Sequence, residues 1–277
     1  MTINEIIAEA LKEDIRGGDH TSLSTIPFDS RGKAHLIVKQ EGIISGVEIA
    51  KRVFEAVDPT LVFTKIIDDG SRVKFGDIVF ELEGSSISIL SGERLALNFM
   101  QRMSGISTTT SIYVEKIKGL QTRLLDTRKT TPLLRELEKM AVKLGGGKNH
   151  RMGLYDMIMI KDNHVDFAGG IEKAIDASVI YLKNKNLDLK IEIEVRNISE
   201  LKRVIAKGGI DRIMLDNFSV DDMREAVQLI NGRYETEASG GITLDTIRAY
   251  AETGVGFVSV GALTHQIKSL DLSLKAI

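Results

Sequence analysis

Between Leu125 and His164 the chain reads LDTRKTTPLLRELEKMAVKLGGGKNHRMGLYDMIMIKDNH. Basic residues gather there as Arg128 with Lys129, as Lys148 to Arg151, and as Lys161, around a helical run and a triple glycine. Each group falls where an apolar run stops, so a buried scaffold presents cations on loops, an arrangement suited to a ligand with several negative charges. Arginine pairs in a plane with carboxylates, each charge-assisted bond contributing roughly 1.5–3 kcal/mol. Arg128 and Arg151, with His150 beside them, therefore select a ligand carrying more than one carboxylate. Lys161 follows MIMI directly, and a lysine leaving an apolar strand has few structural reasons to be there. The plainer alternatives are an ordinary basic surface loop at DTRKTTP and a glycine C-cap with a flexible loop at LGGGKNHRMG.

Acidic counterparts lie downstream. In KIEIEV, Glu192 and Glu194 alternate with Ile191, Ile193 and Val195. If the apolar residues face covering helices, both glutamates point to the opposite side, and buried glutamates need cations. Glu194 and Asp216 end successive strands, and paired carboxylates at such a place can hold Mg²⁺ through oxygen ligands; a salt bridge from Glu194 to a nearby lysine is the plainer reading. SGGIT and SVGAL are glycine turns after strands, able to offer backbone N–H groups to a phosphate. The ligand read from residue types alone has at least two carboxylates, phosphates and a divalent metal.

The elements that position these residues follow from hydrophobic period. Ile3, Ile6, Ile7, Ala10 and Leu11 recur at helical spacing, and EDIRGGDHTS then forms a turn region in which His20 reads as a loop histidine near a cap. The runs AHLIVK, GIISG, LVFTKII and DIVFELEG read as short strands, with KRVFEAV helical among them. SGERLALNFMQRMSG is helical, with Arg94 near its start and Gly105 expected to break it. Beyond Leu120, strands TRLLD, DMIMI, KIEIEV, DRIMLD, YETEA and GFVSV alternate with helices. In DTRKTTP, Thr130 or Thr131 is expected to cap a helix that begins at Pro132, holding Arg128 and Lys129 over its amino terminus. Repeated βα units require a parallel sheet. Polar residues collect at the carboxyl ends of the strands, as they do at the mouth of a barrel. The expected architecture is α/β, an incomplete barrel of six or seven strands over residues 108–265, preceded by an α+β open sandwich over 1–107.

Composition sets outer limits. The chain has 277 residues, 43% of them hydrophobic and 27% charged, which is ordinary for a soluble globular protein and allows two domains. A formal net charge of −2 argues against a broad nucleic-acid-binding surface. No cysteine is present, which excludes disulfides, thiolate zinc sites and cysteine nucleophiles and fits a cytoplasmic protein. The opening MTINEIIAEALKED is too acidic for a signal peptide, and no stretch is apolar enough to span a membrane.

Taken together, EDIRGGDHTS, GERLALN, DTRKTTP, GGGKNHRMGLYDMIMIKDNH, EIEV, MLDNF, ASGGI and SVGALTH resemble the quinolinate phosphoribosyltransferase family over nearly the whole chain. The resemblance implies that residues 266–277 return to the amino-terminal domain. It implies transfer of phosphoribose from phosphoribosyl pyrophosphate to quinolinate, giving nicotinate mononucleotide, pyrophosphate and CO₂, with Mg²⁺ as cofactor. By motif, Arg128, His150, Arg151 and Lys161 would bind quinolinate, joined by Arg94 from a partner subunit. Lys129, Glu194 and Asp216 would engage phosphoribosyl pyrophosphate, the two carboxylates through the metal. Ser239, Gly240, Gly241, Gly261 and His265 would hold its 5′-phosphate. The implied assembly is a homodimer with a shared active site, or a hexamer. Competing readings are a relative acting on nicotinate or another anion, such as the molybdate-associated paralogues, a non-catalytic phosphoribosyl pyrophosphate sensor, and an aldolase-like barrel using Lys161 as a Schiff base.

Overall fold

A computed structural model describes residues 1–277. The chain divides into two compact units. The first comprises Met1–Ser111, Thr130–Gly146 and Leu263–Ile277, the second Ile112–Lys129 and Gly147–Ala262. Residues 130–146, which the sequence boundaries place with the barrel, thus group with the first unit. In chain order come α1 (Ile3–Ile15), α2 (His20–Thr25), β1 (Arg31–Val38), β2 (Gly42–Ile43), α3 (Val47–Val57), β3 (Val62–Lys65), β4 (Arg72–Val73), β5 (Ile78–Ser85) and α4 (Ser86–Lys116). There follow β6 (Arg123–Leu125), α5 (Arg135–Leu144), β7 (Ile158–Ile160), α6 (Asp162–Ala168), α7 (Ile171–Lys185), β8 (Ile191–Val195) and α8 (Ile198–Lys207). The remaining elements are β9 (Arg212–Asp216), α9 (Val220–Ile230), β10 (Glu235–Ser239), α10 (Ile247–Ala251), β11 (Phe257–Ser259), α11 (Ala262–His265) and β12 (Leu272–Ala276).

The first unit is built on an antiparallel sheet of order β12-β1-β5-β3. Alternation in β1 turns Ala34, Leu36 and Val38 inward. Register sets Leu36 between Leu274 and Phe80, giving one buried apolar row across three strands. Phe80 packs on Phe63 with ring centroids 4.4 Å apart, and Phe54 of α3 meets both rings.

Several local expectations change. His20 is the first residue of α2, whose start is capped by Asp19 accepting the Ser22 N–H at 3.0 Å. Gly105 does not interrupt α4, which runs unbroken from Ser86 to Lys116. A Cβ at Gly105 would overlap the Lys268 carbonyl, so this glycine admits a crossing backbone rather than ending the helix. The helix after DTRKTTP begins at Arg135, not Pro132, and Leu134 caps it without a side-chain bond. Leu133 takes a positive φ of 68° in the turn that precedes it. Both threonines are occupied otherwise: Arg135 donates to Thr130 Oγ1 at 3.0 Å, and Arg102 to Thr131 Oγ1 at 2.7 Å. Arg102 also meets the buried Glu138 carboxylate at 2.6 Å, and that carboxylate accepts the Thr131 N–H at 3.2 Å. Arg128 and Lys129 are therefore separated in sequence from the helix start by a structured turn.

The second unit is an incomplete α/β barrel. Its six parallel strands run in the order β6-β11-β10-β9-β8-β7, and a single parallel bridge from Lys148 to Leu125 extends the β6 side. The order begins at β6 and ends at β7, which leaves the ring of strands open between them. All residues of β8 are buried, as expected of a parallel strand covered on both faces.

Candidate active site

Alternation along adjacent barrel strands places a ladder of polar residues on one side of the sheet. Register sets Glu192 of β8 beside Arg212 of β9, Arg212 beside Glu235 of β10, and Glu237 beside Phe257 of β11. Two residues further along each strand stand Glu194, Met214, Ser239 and Ser259, and Asp216 ends β9. The side chains thus form a lower level inside the barrel and an upper level at the carboxyl ends of the strands.

Arg128 and Lys129 lie exposed just beyond β6, where the Lys129 N–H donates to Thr127 Oγ1 at 3.0 Å. Arg151 is half-buried and donates to the Met157 carbonyl at 3.1 Å. Burial and the positive charge of Arg128 both depress the Arg151 guanidinium below its ordinary pKa, so two like charges confront each other here. The loop that carries Arg151 is tied down: the Asp126 carboxylate accepts the His150 N–H at 2.8 Å, and Asp156 accepts the Met152 and Gly153 N–H groups at 2.6 and 2.9 Å. Lys161 ends β7 and extends Nζ to Oε2 of Glu194 at 3.1 Å. Asp216 Oδ2 accepts from the Asn217 amide at 2.6 Å. Glu194 and Asp216 end neighbouring strands with carboxylate oxygens, a donor set that suits Mg²⁺.

Beneath this level is a closed cluster. His150 Nε2 lies 3.0 Å from Glu192 and 3.2 Å from Glu237, and Arg212 Nη1 is 3.2 Å from Glu237 and 3.9 Å from Glu192. The buried oxygens of these glutamates are held largely by charge rather than by well-aligned hydrogen bonds. Arg212 also stacks on the Phe257 ring, 4.3 Å from its centroid. Burial pulls the imidazole down, but the hydrogen bonds and charges of both glutamates outweigh it and raise His150 to about 9. Burial and the adjacent Glu237 charge push Glu192 up to about 7; Glu237 is also penalised by burial, yet His150 and Arg212 hold it low. At the other ring nitrogen, Nδ1 accepts the Arg151 N–H at 2.7 Å.

The glycine turn after β10 is constrained from both sides. Gly240 has φ of 93°, and a Cβ there would overlap the Asn217 side chain and backbone, while the Asn217 N–H donates to the Ser239 carbonyl at 2.9 Å. Gly241 follows, also with positive φ, and Gly261 follows β11. The second unit therefore carries Arg128, Lys129, His150, Arg151, Lys161, Glu194, Asp216, Ser239, Gly240, Gly241 and Gly261. Arg94, exposed on α4, and His265, exposed at the end of α11, belong to the first unit. A groove of about 960 Å³ in that unit, between α1, α4 and Pro132–Leu134, contains none of the expected site residues. Sequence reading passed over Arg212 and Glu237. The same alternation that marked KIEIEV runs through DRIMLD and YETEAS and was the available signal.

Comparison with known proteins covers both units of the chain. Residues 19–104 match the amino-terminal domain of quinolinate phosphoribosyl transferase and residues 106–275 its carboxyl-terminal domain. A tobacco (Nicotiana tabacum) protein described as quinolinate phosphoribosyltransferase [decarboxylating] 1b is 45% identical over 285 residues, covering 98% of this chain and 81% of its own. A Bacillus subtilis protein described as a probable nicotinate-nucleotide pyrophosphorylase [carboxylating] is 41% identical, with 99% of this chain and 93% of its own covered. The crystal structure of NadC from Streptococcus pyogenes superposes with a TM-score of 0.94 at 38% identity, over 99% of this chain and 97% of that one.

Proposed function

The chain belongs to the quinolinate phosphoribosyltransferase family, and from that premise we propose how its residues carry the reaction. Quinolinate and phosphoribosyl pyrophosphate give nicotinate mononucleotide, pyrophosphate and CO₂, a step of de novo NAD synthesis. The observation that carries our assignment of residues is the set of cations on the second unit, Arg128 just beyond β6, the half-buried Arg151, and Lys161 after β7 with Nζ 3.1 Å from Glu194, which suits a dianionic ligand.

Arg128, Arg151 and Lys161 bind the two quinolinate carboxylates, and His150 belongs to the same side of the site. Lys129, Glu194 and Asp216 face phosphoribosyl pyrophosphate. Ser239, Gly240, Gly241 and Gly261 cradle its 5′-phosphate, with His265 assigned to the same phosphate by motif. Departure of pyrophosphate leaves positive charge on the ribose ring; Glu194 and Asp216 stabilise that charge while Lys129 stabilises the leaving group. Glu194 and Asp216 would also hold Mg²⁺, which supplies charge neutralisation for the pyrophosphate. No protein nucleophile is needed, because the pyridine nitrogen attacks the ribose carbon itself. The quaternised ring then accepts the electron pair released as the adjacent carboxylate leaves as CO₂. Arg94 acts from a partner subunit, which makes a homodimer with a shared site the working unit, with a hexamer as the larger assembly.

No helix of the chain is long and apolar enough to cross a membrane. The cysteine-free composition supports a cytoplasmic setting. The test is incubation of the purified protein with quinolinate, phosphoribosyl pyrophosphate and Mg²⁺, following nicotinate mononucleotide and CO₂, with nicotinate offered in parallel. Product from quinolinate and little from nicotinate is expected; preference for nicotinate would overturn the reading.

A further inference from the structure

Arg102, in the middle of α4, holds three separate segments of the first unit. Its Nε donates to Glu138 Oε1 of α5 at 2.9 Å, and Nη2 reaches the same oxygen at 2.6 Å. Nη2 also meets Thr131 Oγ1, in the turn before α5, at 2.7 Å and the Thr264 carbonyl of α11 at 3.3 Å. The second oxygen of the buried Glu138 carboxylate accepts the Thr131 N–H at 3.2 Å, so the turn is gripped by both members of the ion pair. A planar guanidinium can serve acceptors that diverge in this way, and an ammonium on a flexible stem cannot hold them in one geometry.

These segments share one property, which is what lies next to them in the chain. Thr131 stands two residues after Lys129, and Thr264 stands three after Gly261 and directly before His265. Lys129 is assigned to the pyrophosphate end of phosphoribosyl pyrophosphate, Gly261 and His265 to its 5′-phosphate end. The turn itself is strained. Leu133 takes a φ of 68° although it carries a side chain, and that side chain is exposed. Left-handed backbone at such a residue persists only where its surroundings impose it. Here they do: besides Arg102 and Glu138 on Thr131, Arg135 donates to Thr130 Oγ1 at 3.0 Å and the Leu134 N–H closes on the Thr131 carbonyl at 3.1 Å. A buried ion pair gains little stability over apolar packing, so strain and buried charge at one turn point to placement as its use.

We propose that Arg102 is a positioning residue for phosphoribosyl pyrophosphate: with Glu138 it fixes the turn that follows Lys129 and the main chain that leads into His265, so that one side chain sets the backbone beside the residues taking each end of the substrate. This rests on the assignment of Lys129 and His265 to that substrate. Arg102 and Glu138 thereby support recognition without touching the ligand.

Arg102→Lys keeps a charge opposite Glu138 and removes the fork. It is expected to raise the KM for phosphoribosyl pyrophosphate about tenfold and to weaken inhibition by ribose 5-phosphate and by Mg²⁺-pyrophosphate about fivefold each, with the quinolinate KM held within about threefold. Thr131→Val removes the turn contact alone. It should weaken inhibition by pyrophosphate about fivefold and leave that by ribose 5-phosphate within about twofold, whereas Thr131→Ser, which keeps the hydroxyl, should match the parent; this pair serves if Arg102→Lys does not fold. None of these constants depends on how much of the enzyme is folded. A purely structural ion pair would therefore leave them unchanged, and that result would overturn the proposal. An equal rise in the KM of both substrates, or weakened inhibition by only one of the two probes in Arg102→Lys, would overturn it as well. The underlying assignment is tested apart: Lys129→Ala and His265→Ala should each raise the KM for phosphoribosyl pyrophosphate, and if neither does, that assignment falls and takes the proposal with it.

Discussion

Lys161 and Glu194 form an ion pair, Nζ to Oε2 at 3.1 Å, that bridges the ends of β7 and β8. The lysine side chain is about half exposed and the glutamate nearly buried, so the pair can open toward an incoming ligand from the lysine side. Lys161→Ala should raise the quinolinate KM by on the order of 10- to 100-fold, the loss expected for one charge-assisted contact. Steady-state kinetics with each substrate varied would check this, and an unchanged KM for quinolinate would remove Lys161 from the site.

Metal dependence should follow the two carboxylates. Chelation by EDTA is expected to abolish product formation and added Mg²⁺ to restore it, while Glu194→Gln and Asp216→Asn should each raise the Mg²⁺ concentration required for half-maximal rate. Full activity in EDTA would rule out the metal assignment.

The proposed shared-site dimer makes a quantitative prediction. Assayed with quinolinate well below the raised KM of the variants, Arg94→Ala and Lys161→Ala should each be nearly inactive alone. Mixing equal amounts after subunit exchange should restore up to about a quarter of wild-type activity, because half the dimers are hybrids and each hybrid has one intact site. Persistent inactivity under verified exchange would mean that Arg94 serves the site of its own chain or none.

For stability, the Arg102–Glu138 pair should behave asymmetrically. Glu138 is almost fully buried while Arg102 keeps some access to water. Arg102→Ala strands a buried carboxylate and should cost about 3–5 kcal/mol, whereas Glu138→Gln retains an acceptor and should cost about 1–2 kcal/mol. Urea unfolding of both variants would show whether that order holds.

Where side chains alternate or terminate strands, the sequence was readable. Glu192 and Glu194 follow from period two in KIEIEV, and both are buried against cations as that pattern requires. Asp216 and Lys161 follow from their places after apolar runs. The misreadings have a common physical origin, for they concern residues whose local preference was overridden by a distant partner. Thr130 and Thr131 have the chemistry of caps, but Arg135 and Arg102 claim their hydroxyls. Gly105 looks like a break until the Lys268 backbone is seen to lie against it. Glu237 lies 3.2 Å from His150, which is far away in sequence, and no local pattern announces that pairing.

The pairing of β12 with β1 has a bearing on how the protein is made. Residues 31–38 leave the ribosome early, yet one edge of their sheet stays open until residues 272–276 have been synthesised, after every barrel strand. Through that interval β1 exposes a row of unsatisfied backbone groups, the sort of edge that recruits other nascent chains. Completion of the first unit's sheet thus waits until every barrel strand has been synthesised. A circular permutant that brings 272–276 ahead of residue 31 would let the sheet close early.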